Sequence, residues 1–339
     1  MKRNFRDGKT FVIAEIGGNH EGDFEYAKRL LLDVADSGAD AVKFQSYKPD
    51  LIVSRVENEV RNKHFGKFAL SDEQFMELAK LAKDKGIMFM ASFWDEKALD
   101  LFDPLVEVHK VGSGDLTNYP LLEKIALKNK PMIIATAMST LQEVKNVINF
   151  IRKVNPSLVE EGNLAILQCV AMYGEPLDKY ANLNVIETYK KELPSDVVIG
   201  YSDHTTGIHA ANIAVGMGAK VLEIHYTDDK NREFRDHHLS IIKEEMKQLI
   251  SDIRRTEVML GSFEKKPVAE IENEQRIWEF RRAVYFKGDV KAGTVASEEN
   301  LITLRPNEGI DARRYYDVLG KTLKVDKKAH EKLSWEDFD

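Results

Sequence analysis

The chain has 339 residues, 43% of them apolar, with 49 basic and 56 acidic side chains and a net charge of −7. That size allows one large domain and a small one, and the acidic balance argues against non-specific nucleic-acid binding because no basic stripe is available. Cys169 is the single cysteine and no apolar run approaches the ~18 residues that span a bilayer, so we expect a soluble cytoplasmic protein without disulfides.

Short apolar runs rich in β-branched residues alternate along the chain with amphipathic stretches of helical period. We therefore predict eight strands followed by helices. The strands cover Phe11–Gly17, Ala41–Tyr47, Met88–Trp94, Val108–Gly112, Pro131–Ala137, Leu164–Val170, Val197–Asp203 and Val221–Thr227. The helices include Glu25–Ser37, Asp72–Lys85, Leu121–Lys128, Leu141–Lys153, Val185–Glu192, Ile208–Met217 and Lys243–Met259.

Eight strand–helix units over about 260 residues favour a (β/α)8 TIM barrel. The alternative is a doubly wound open sheet. The turn after the first strand, Glu15–Gly22, carries glycines at the wrong spacing for a dinucleotide-binding turn, which argues against that alternative.

The pattern changes after the last predicted helix. We assign residues 1–259 to the barrel, 260–282 to a charged linker and 283–339 to a small β-rich C-terminal domain. Strand-like pieces at Ala283–Phe286 and Leu301–Leu304 lie among turn signals in that last segment.

Two lysines, Lys43 and Lys110, lie inside otherwise apolar strands, where an inward-facing ammonium group is costly without an anion. They either lie on the outer face, form internal ion pairs with Glu15 or Asp115, or bind phosphate and carboxylate groups of a ligand. Serines at neighbouring strand ends favour the last interpretation. These are Ser92, Ser113 and Ser202.

His204 and His225 end adjacent strands, so their side chains can converge on one point at the C-terminal mouth of the barrel. Imidazoles suit Mn²⁺, Zn²⁺, Co²⁺ or Fe²⁺, although two hydrogen-bonded histidines at a barrel rim would show the same spacing. Asp236, His237 and His238 follow in the next loop as outer partners of a metal, substrate contacts or a solvated cluster.

Glu15 and Asp115 are the carboxylates best placed for acid–base chemistry, unless each only neutralises a lysine. His20 and Glu21 are also compatible with a simple turn that enters the first helix. Cys169 lies on an apolar strand, which is more typical of a core residue than of a nucleophile.

The strand ends resemble the sialic acid synthase (N-acetylneuraminate synthase) family, which includes legionaminic and pseudaminic acid synthases and spore-coat polysaccharide relatives. Residues 283–339 are similar to that family's antifreeze-protein-like (SAF) domain. The matching segments are Ala14–Gly22, Val42–Gln45, Lys110–Asp115, Gly200–Thr205, Leu222–Thr227, Asp289–Gly293, Arg305–Ile310, Leu319–Lys321 and Ser334–Asp337.

The resemblance implies a domain-swapped homodimer in which the small domain of one subunit covers the other's active site and contributes Arg305. It implies that His204 and His225 hold a divalent metal, Mn²⁺ or Mg²⁺. By the same carry-over, Gln45, Tyr173 and Asp236 face the sugar. Phosphoenolpyruvate would bind to Lys43, Ser92, Lys110, Ser113 and Ser202.

The implied reaction is the condensation of phosphoenolpyruvate with an open-chain N-acylhexosamine such as N-acetylmannosamine, with C–O cleavage and release of phosphate. Glu15 would stabilise positive charge at C2 or activate the water that adds there. The chain departs from the family on the sugar side, where Ala135 and Ala171 stand at positions that commonly carry serine and asparagine. Two alternatives therefore stay open: a metal-independent Schiff-base aldolase using Lys43 or Lys110, and a non-catalytic sugar-acid binding or assembly protein.

Overall fold

A computed structural model describes residue 5, residues 8–233 and residues 236–339. The chain divides after Gly261 into two compact units, and the first is a closed barrel of eight parallel strands in sequential order. The barrel confirms the predicted fold class and excludes the open sheet. Its strands are β1 (Phe11–Gly17), β2 (Ala41–Ser46), β3 (Met88–Phe93), β4 (His109–Val111), β5 (Met132–Ala135), β6 (Leu164–Cys169), β7 (Val198–Asp203) and β8 (Val221–His225).

Helices follow the strands and cover the outside of the barrel. Several begin at a side-chain cap, and α4 and α7 have full capping boxes at Ser71 and Thr140. The helices are α1 (Phe24–Ala35), α2 (Pro49–Ile52), α3 (Glu59–Phe68), α4 (Asp72–Asp84), α5 (Glu96–Phe102), α6 (Tyr119–Leu127), α7 (Leu141–Val154), α8 (Pro156–Glu160), α9 (Val185–Glu192), α10 (His209–Gly216) and α11 (Lys243–Leu260). None of the helices in the described ranges is long and apolar enough to cross a membrane.

Alternation along each strand divides its side chains between two cores. On β1, Val12, Ala14 and Ile16 pack outward against the helices, whereas Phe11 and Ile13 belong to a separate cluster inside the barrel. The inward positions are apolar near the N-terminal ends of the strands and become polar toward their C-terminal ends. This change of polarity along the barrel axis places a polar site at the C-terminal mouth.

The second unit, from Ser262 onward, has its own small core. Strand β9 (Ala283–Phe286) pairs antiparallel with β10 (Leu301–Leu304), as the sequence predicts. A glycine is required at position 309, because φ is +92° there and a Cβ atom would lie 2.3 Å from the Leu333 carbonyl oxygen.

The segment predicted as a linker, residues 260–282, contains a helix, α12 (Glu274–Phe280), which begins where the Asn273 side chain accepts from the Arg276 amide. None of its residues is buried, so it lacks the apolar stripe by which a helix is recognised in a sequence. One further short helix, α13 (Tyr315–Val318), completes this unit.

Candidate active site

Strand register brings the predicted polar residues into one layer of the barrel. Glu15 on β1 is opposite Lys43 on β2 and opposite His225 on β8. Ser92 on β3 is opposite both Gln45 and Lys110, and Ser202 on β7 is opposite Cys169 and Glu223. Since the strands are parallel and closed into a barrel, these side chains converge on one space.

Four charged side chains form a buried network at the bottom of that space. Lys43 Nζ lies 2.7 Å from Glu15 Oε2 and 3.6 Å from Glu223 Oε2, and Lys110 Nζ lies 3.2 Å from Glu223 Oε1. The exposed fraction of each side chain is 9% or less. Both lysines therefore face inward, and each is compensated by a carboxylate.

The ion pairs correct one part of the sequence interpretation. Lys43 pairs with Glu15 as proposed, but Lys110 pairs with Glu223 and not with Asp115. Asp115 instead accepts from the Asn118 side-chain amide at 3.2 Å, and burial raises the pKa of its carboxyl.

Burial and neighbouring charges set the protonation of this network. Desolvation raises the pKa of Glu15, and Lys43 only partly offsets it. Glu223 also loses solvation, but the ammonium groups of Lys110 and Lys43 outweigh that loss and lower its pKa to about 2. Desolvation lowers the pKa of Lys110, whereas the two carboxylates around Lys43 raise the pKa of its ammonium group. The two ammonium groups thus favour the anionic form of Glu223, and Glu15 is the carboxyl better suited to exchange a proton.

Serines complete the lining of the network. Ser92 Oγ accepts from Lys43 Nζ at 3.3 Å, and Ser202 Oγ donates to Glu223 Oε1 at 3.0 Å. Ser113 Oγ accepts from the Ala137 amide at 3.0 Å. All three serines line the cavity described below, together with both lysines.

His204 and His225 face each other beside the charged network, with their Nε2 atoms 3.4 Å apart. Burial, and secondarily the neighbouring His225, lowers the pKa of His204 to about 3, so the ring is neutral at physiological pH and can act as a ligand. Metal–nitrogen bonds of about 2.1 Å to one ion would span the observed separation. Among the residues that the structure describes, no group of three or more His, Cys, Asp or Glu side chains is placed to hold a metal ion.

Cys169 and Tyr173 flank the histidines. Cys169 Sγ lies 3.6 Å from His204 Nδ1, and burial raises the pKa of the thiol to about 11. The thiol is therefore protonated at neutral pH, which does not suit a nucleophile. The ring of Tyr173 meets the His204 ring edge-on at 5.2 Å and remains 45% exposed.

An open cavity of about 720 Å³ rises from these residues to the barrel mouth. Its floor is formed by the buried lysines, carboxylates, serines and histidines, and Ala135 and Ala171 line its wall. Its rim comes from the segment after β2, from Met138 and from Tyr173. The rim residues of that segment are Leu51, Ile52, Val53, Ser54, Glu57, Asn58 and Arg61.

The remaining predicted sugar-side residues occupy different places. Gln45 lines the cavity and donates to Glu15 Oε1 at 2.8 Å. Asp236 is buried, with 2% of its surface exposed, and lies near enough to His204 to act on its pKa. Arg305 lies in the C-terminal unit, where it is exposed and its Nε donates to the Phe280 carbonyl at 2.8 Å.

Sequence reasoning did not single out Glu223, although a signal for it existed. Glu223 lies two residues before His225 in a strand, so the two side chains must point to the same face. The rim residues on and before α3, such as Asn58 and Arg61, carried no such signal because α3 has few apolar positions in helical register.

Two protein-family models match the chain. The description "NeuB family" matches residues 30–265, and "SAF domain" matches residues 281–339. The chain is 37% identical to an N,N'-diacetyllegionaminic acid synthase from Legionella pneumophila, over 97% of this chain and 94% of that protein. It is also 37% identical to the N-acetylneuraminate-9-phosphate synthase of Mus musculus, over 93% and 89%.

Solved structures show the same similarity. A crystal structure of a sialic acid synthetase from Leptospira borgpetersenii, in complex with citrate, superposes with a TM-score of 0.72 at 30% identity. The superposition covers 79% of this chain and 90% of that one.

Proposed function

Since this chain belongs to the NeuB family of sialic acid-type synthases, we propose that it condenses phosphoenolpyruvate with an open-chain N-acylhexosamine such as N-acetylmannosamine. In this transferase reaction a C–C bond forms, the C2–O bond of phosphoenolpyruvate breaks and phosphate leaves. The observation that carries the proposal is the buried Glu15–Lys43–Glu223–Lys110 network beside the His204–His225 pair, at the floor of one open cavity.

The lysines and serines are the proposed site for phosphoenolpyruvate. Lys43 and Lys110 supply two ammonium groups, and Ser92, Ser113 and Ser202 supply hydroxyl groups around them. Without ligand, the two lysines are balanced by Glu15 and Glu223, so an anionic substrate must compete with those carboxylates.

His204 and His225 are the proposed ligands of a divalent ion, Mn²⁺ or Mg²⁺, with Mn²⁺ better suited to imidazole nitrogen. Bound there, the ion would polarise the aldehyde oxygen and make the aldehyde carbon more electrophilic. The neutral state of His204 and the 3.4 Å separation of the two Nε2 atoms support this assignment.

The remaining steps use Glu15. C3 of phosphoenolpyruvate attacks the aldehyde carbon, which leaves positive charge at C2 and negative charge on the former aldehyde oxygen. Glu15 stabilises the positive charge at C2 and accepts a proton from the water that adds there, and this proton passes to the former aldehyde oxygen, which becomes a hydroxyl group. The tetrahedral intermediate then loses phosphate by C2–O cleavage. Its C2 hydroxyl becomes the ketone of a 2-keto-3-deoxy acid, and the proton of that hydroxyl leaves with the phosphate.

The acceptor would lie between the floor and the rim, with Gln45, Tyr173 and Asp236 as its proposed contacts. Ala135 and Ala171 line the cavity wall without polar side-chain atoms. An acceptor with an apolar or bulkier substituent in place of one hydroxyl group is therefore compatible with this wall.

A panel of acceptors tests the proposal. Phosphate release is measured with phosphoenolpyruvate, Mn²⁺ and N-acetylmannosamine, its 6-phosphate and 2,4-diacetamido-2,4,6-trideoxyhexoses, and the ketoacid product is identified by mass spectrometry. We expect turnover with at least one acceptor and its loss in excess chelator. Tight binding of a sugar acid without phosphate release for any acceptor would favour the non-catalytic alternative.

One observation favours a second candidate reaction. Burial lowers the pKa of Lys110, which is the direction that an amine nucleophile needs. A Schiff-base aldolase would remain active in chelator, and borohydride would trap a covalent adduct on Lys110. The ion pair with Glu223 opposes this chemistry because it holds Lys110 in the charged form.

We further propose a domain-swapped homodimer in which Arg305 reaches the partner's site. Mixing Glu15→Gln subunits with Arg305→Ala subunits tests this, because a swapped heterodimer contains one site with both native residues. We expect recovery of activity at low acceptor concentration. Activity that stays at the average of the two parent variants would contradict the swap.

A further inference from the structure

The turn after β1, Asn19–Gly22, lies outside the chemistry proposed above. Its first residue, Asn19, is fully buried and donates from Nδ2 to the Tyr226 carbonyl at 2.8 Å and to Ser240 Oγ at 2.9 Å. Tyr226 and Ser240 stand at the two ends of the segment that follows β8. One buried amide thus ties both ends of that segment to the β1 turn.

Glu21 binds the middle of the same segment. Its Oε1 lies 3.1 Å from His237 Nε2 and its Oε2 lies 3.2 Å from Arg232 Nη1. His237 is completely buried, and its Nδ1 lies 2.6 Å from Thr227 Oγ1. A carboxylate can only accept, so Nε2 of His237 carries the hydrogen in the contact with Glu21.

The turn itself is fixed in place. Glu21 has a φ of +55°, in the left-handed region, which a non-glycine residue adopts only where surrounding contacts hold it. At Gly22 a Cβ atom would lie 2.6 Å from the Lys67 carbonyl oxygen of α3. The backbone around Glu21 is therefore a rigid base for the carboxylate.

The segment held by this turn links the proposed metal ligands to the proposed acceptor side of the site. It begins directly after His225 and includes Asp236, whose carbonyl accepts from Ser240 Oγ at 2.6 Å. Asp236 interacts electrostatically with His204, which lines the cavity, and is a proposed acceptor contact. Asn19, Glu21, Asp236 and His237 are themselves not among the described residues that line the cavity.

We propose that Asn19 and Glu21 are positioning residues. They hold the described parts of the segment after β8, residues 226–233 and 236–240, through Ser240 and His237, and thereby set the place of Asp236 on the acceptor side of the site. They do so without touching substrate. The expected effect on catalysis rests on the proposed function. The contacts of Asn19 and Glu21 do not depend on which reaction takes place. Phosphoenolpyruvate binding depends on Lys43 and Lys110, which have their own ion pairs.

The test compares Glu21→Ala and Glu21→Gln with the control Glu25→Gln. Glu25 is an exposed residue of α1 that forms an ion pair with Lys28 at 2.6 Å. For Glu21→Ala we expect the acceptor KM to rise about tenfold or more, as is usual for loss of an outer support of a site. The phosphoenolpyruvate KM should change less than twofold, and Glu21→Gln, which keeps one acceptor oxygen, should fall between.

Amide hydrogen exchange gives a readout that needs no turnover. We expect residues 226–233 and 236–240 to exchange faster in Glu21→Ala than in the wild type or in Glu25→Gln, with α4 and α7 unchanged. If Glu21→Ala does not fold, Thr227→Val removes the hydroxyl beneath His237 at nearly constant volume and should show the same pattern in weaker form.

Equal increases of both KM values, or a raised acceptor KM with unchanged exchange in residues 226–233 and 236–240, would overturn the positioning role. Unchanged KM and unchanged exchange would overturn it as well. If the wild type turns over none of the acceptors while exchange responds as expected, the proposed function fails and the structural part of the inference stands.

Discussion

The buried carboxylate of Glu223 lies beside the ammonium groups of two buried lysines. Its carboxylate lies 3.2 Å from Lys110 Nζ and 3.6 Å from Lys43 Nζ, and Ser202 donates to it. A buried ion that loses its partner costs far more free energy than an exposed one, because no water replaces the lost charge. Glu223 therefore supports the site by keeping both lysines charged and inward.

Replacing Glu223 by Gln should lower the free energy of unfolding by about 3 kcal/mol, since Lys110 then loses its carboxylate in a buried place. Urea denaturation at pH 7 measures this. The double variant Glu223→Gln, Lys110→Met removes one charge of each sign and should recover part of the loss. A double variant that is less stable than Glu223→Gln would contradict the pairing.

The histidine pair gives a second prediction at this scale. His204→Asn should weaken Mn²⁺ binding at least about tenfold, because one of two nitrogen ligands is lost. Titration followed by electron paramagnetic resonance measures the affinity without substrate. His330→Asn, an exposed residue of the C-terminal unit, is the control. Equal Mn²⁺ affinity in all three proteins would remove His204 from the ligand set.

At the scale of single elements, the strands were predictable because their buried faces are continuous apolar runs. Phe11–Gly17 and Ala283–Phe286 have the predicted bounds, and the other barrel strands end within two residues of the prediction. The helix α3 was missed because its face is mostly polar, and only Asn62 and Phe65 are buried. Its position depends on contacts with the barrel, which a local pattern cannot show.

For the candidate site, the positions of several residues could be predicted from the sequence, but not all of their partners. Lys43, Lys110, His204 and His225 could be placed at the barrel mouth because strand ends converge there. The partner of Lys110 could not, since pairing across β4 and β8 depends on side-chain reach through the barrel interior. Asp115, nearer in sequence, was the wrong partner.

Gly200 on β7 offers an element-scale test. A Cβ atom there would lie 2.3 Å from Leu167 Cδ2 and 2.4 Å from the Val221 carbonyl oxygen, so strands β6 and β8 would have to move apart. Gly200→Ala should destabilise the barrel by about 2 kcal/mol or more. Gly216, in α10, has open space at its Cβ position, and Gly216→Ala should be neutral or stabilising in thermal unfolding. Equal melting temperatures for the two variants would contradict the tight packing at β7.

At the scale of the whole molecule, buried histidines govern the response to acid. Burial lowers the pKa of His20 and of His109 to about 4, from 6.5 in a solvated histidine. Between these values the unfolded chain binds more protons than the folded one, so the free energy of unfolding falls as pH falls. Glu15 and Asp203, whose pKa values burial raises, act in the opposite direction.

His109→Gln isolates one such contribution. Glutamine can keep a hydrogen bond to Asp103, which lies 2.9 Å from His109 Nε2, but cannot take up a proton. We expect the variant to lose about 1.5 kcal/mol less stability than the wild type between pH 6.5 and pH 5. Urea denaturation at both pH values gives the difference. Parallel losses in the two proteins would show that His109 does not titrate on unfolding.

The division after Gly261 predicts that the second unit folds alone, since Val284, Phe286 and Leu333 belong to a core made within it. A fragment of residues 262–339 should unfold cooperatively with heat. Phe286→Ala is the control, because it should lower the melting temperature of the fragment. A fragment without a cooperative transition would contradict the autonomy of this unit.

The proposed synthase reaction is tested most directly by the fate of the bridging oxygen of phosphoenolpyruvate. Substrate labelled with oxygen-18 between C2 and phosphorus is incubated with the enzyme, Mn²⁺ and a productive amino-sugar acceptor, and the products are analysed by mass spectrometry. We predict that the label leaves with inorganic phosphate and that the organic product is a 2-keto-3-deoxy acid. Label retained in the organic product, or phosphate released without a new C–C bond, would contradict the proposed synthase.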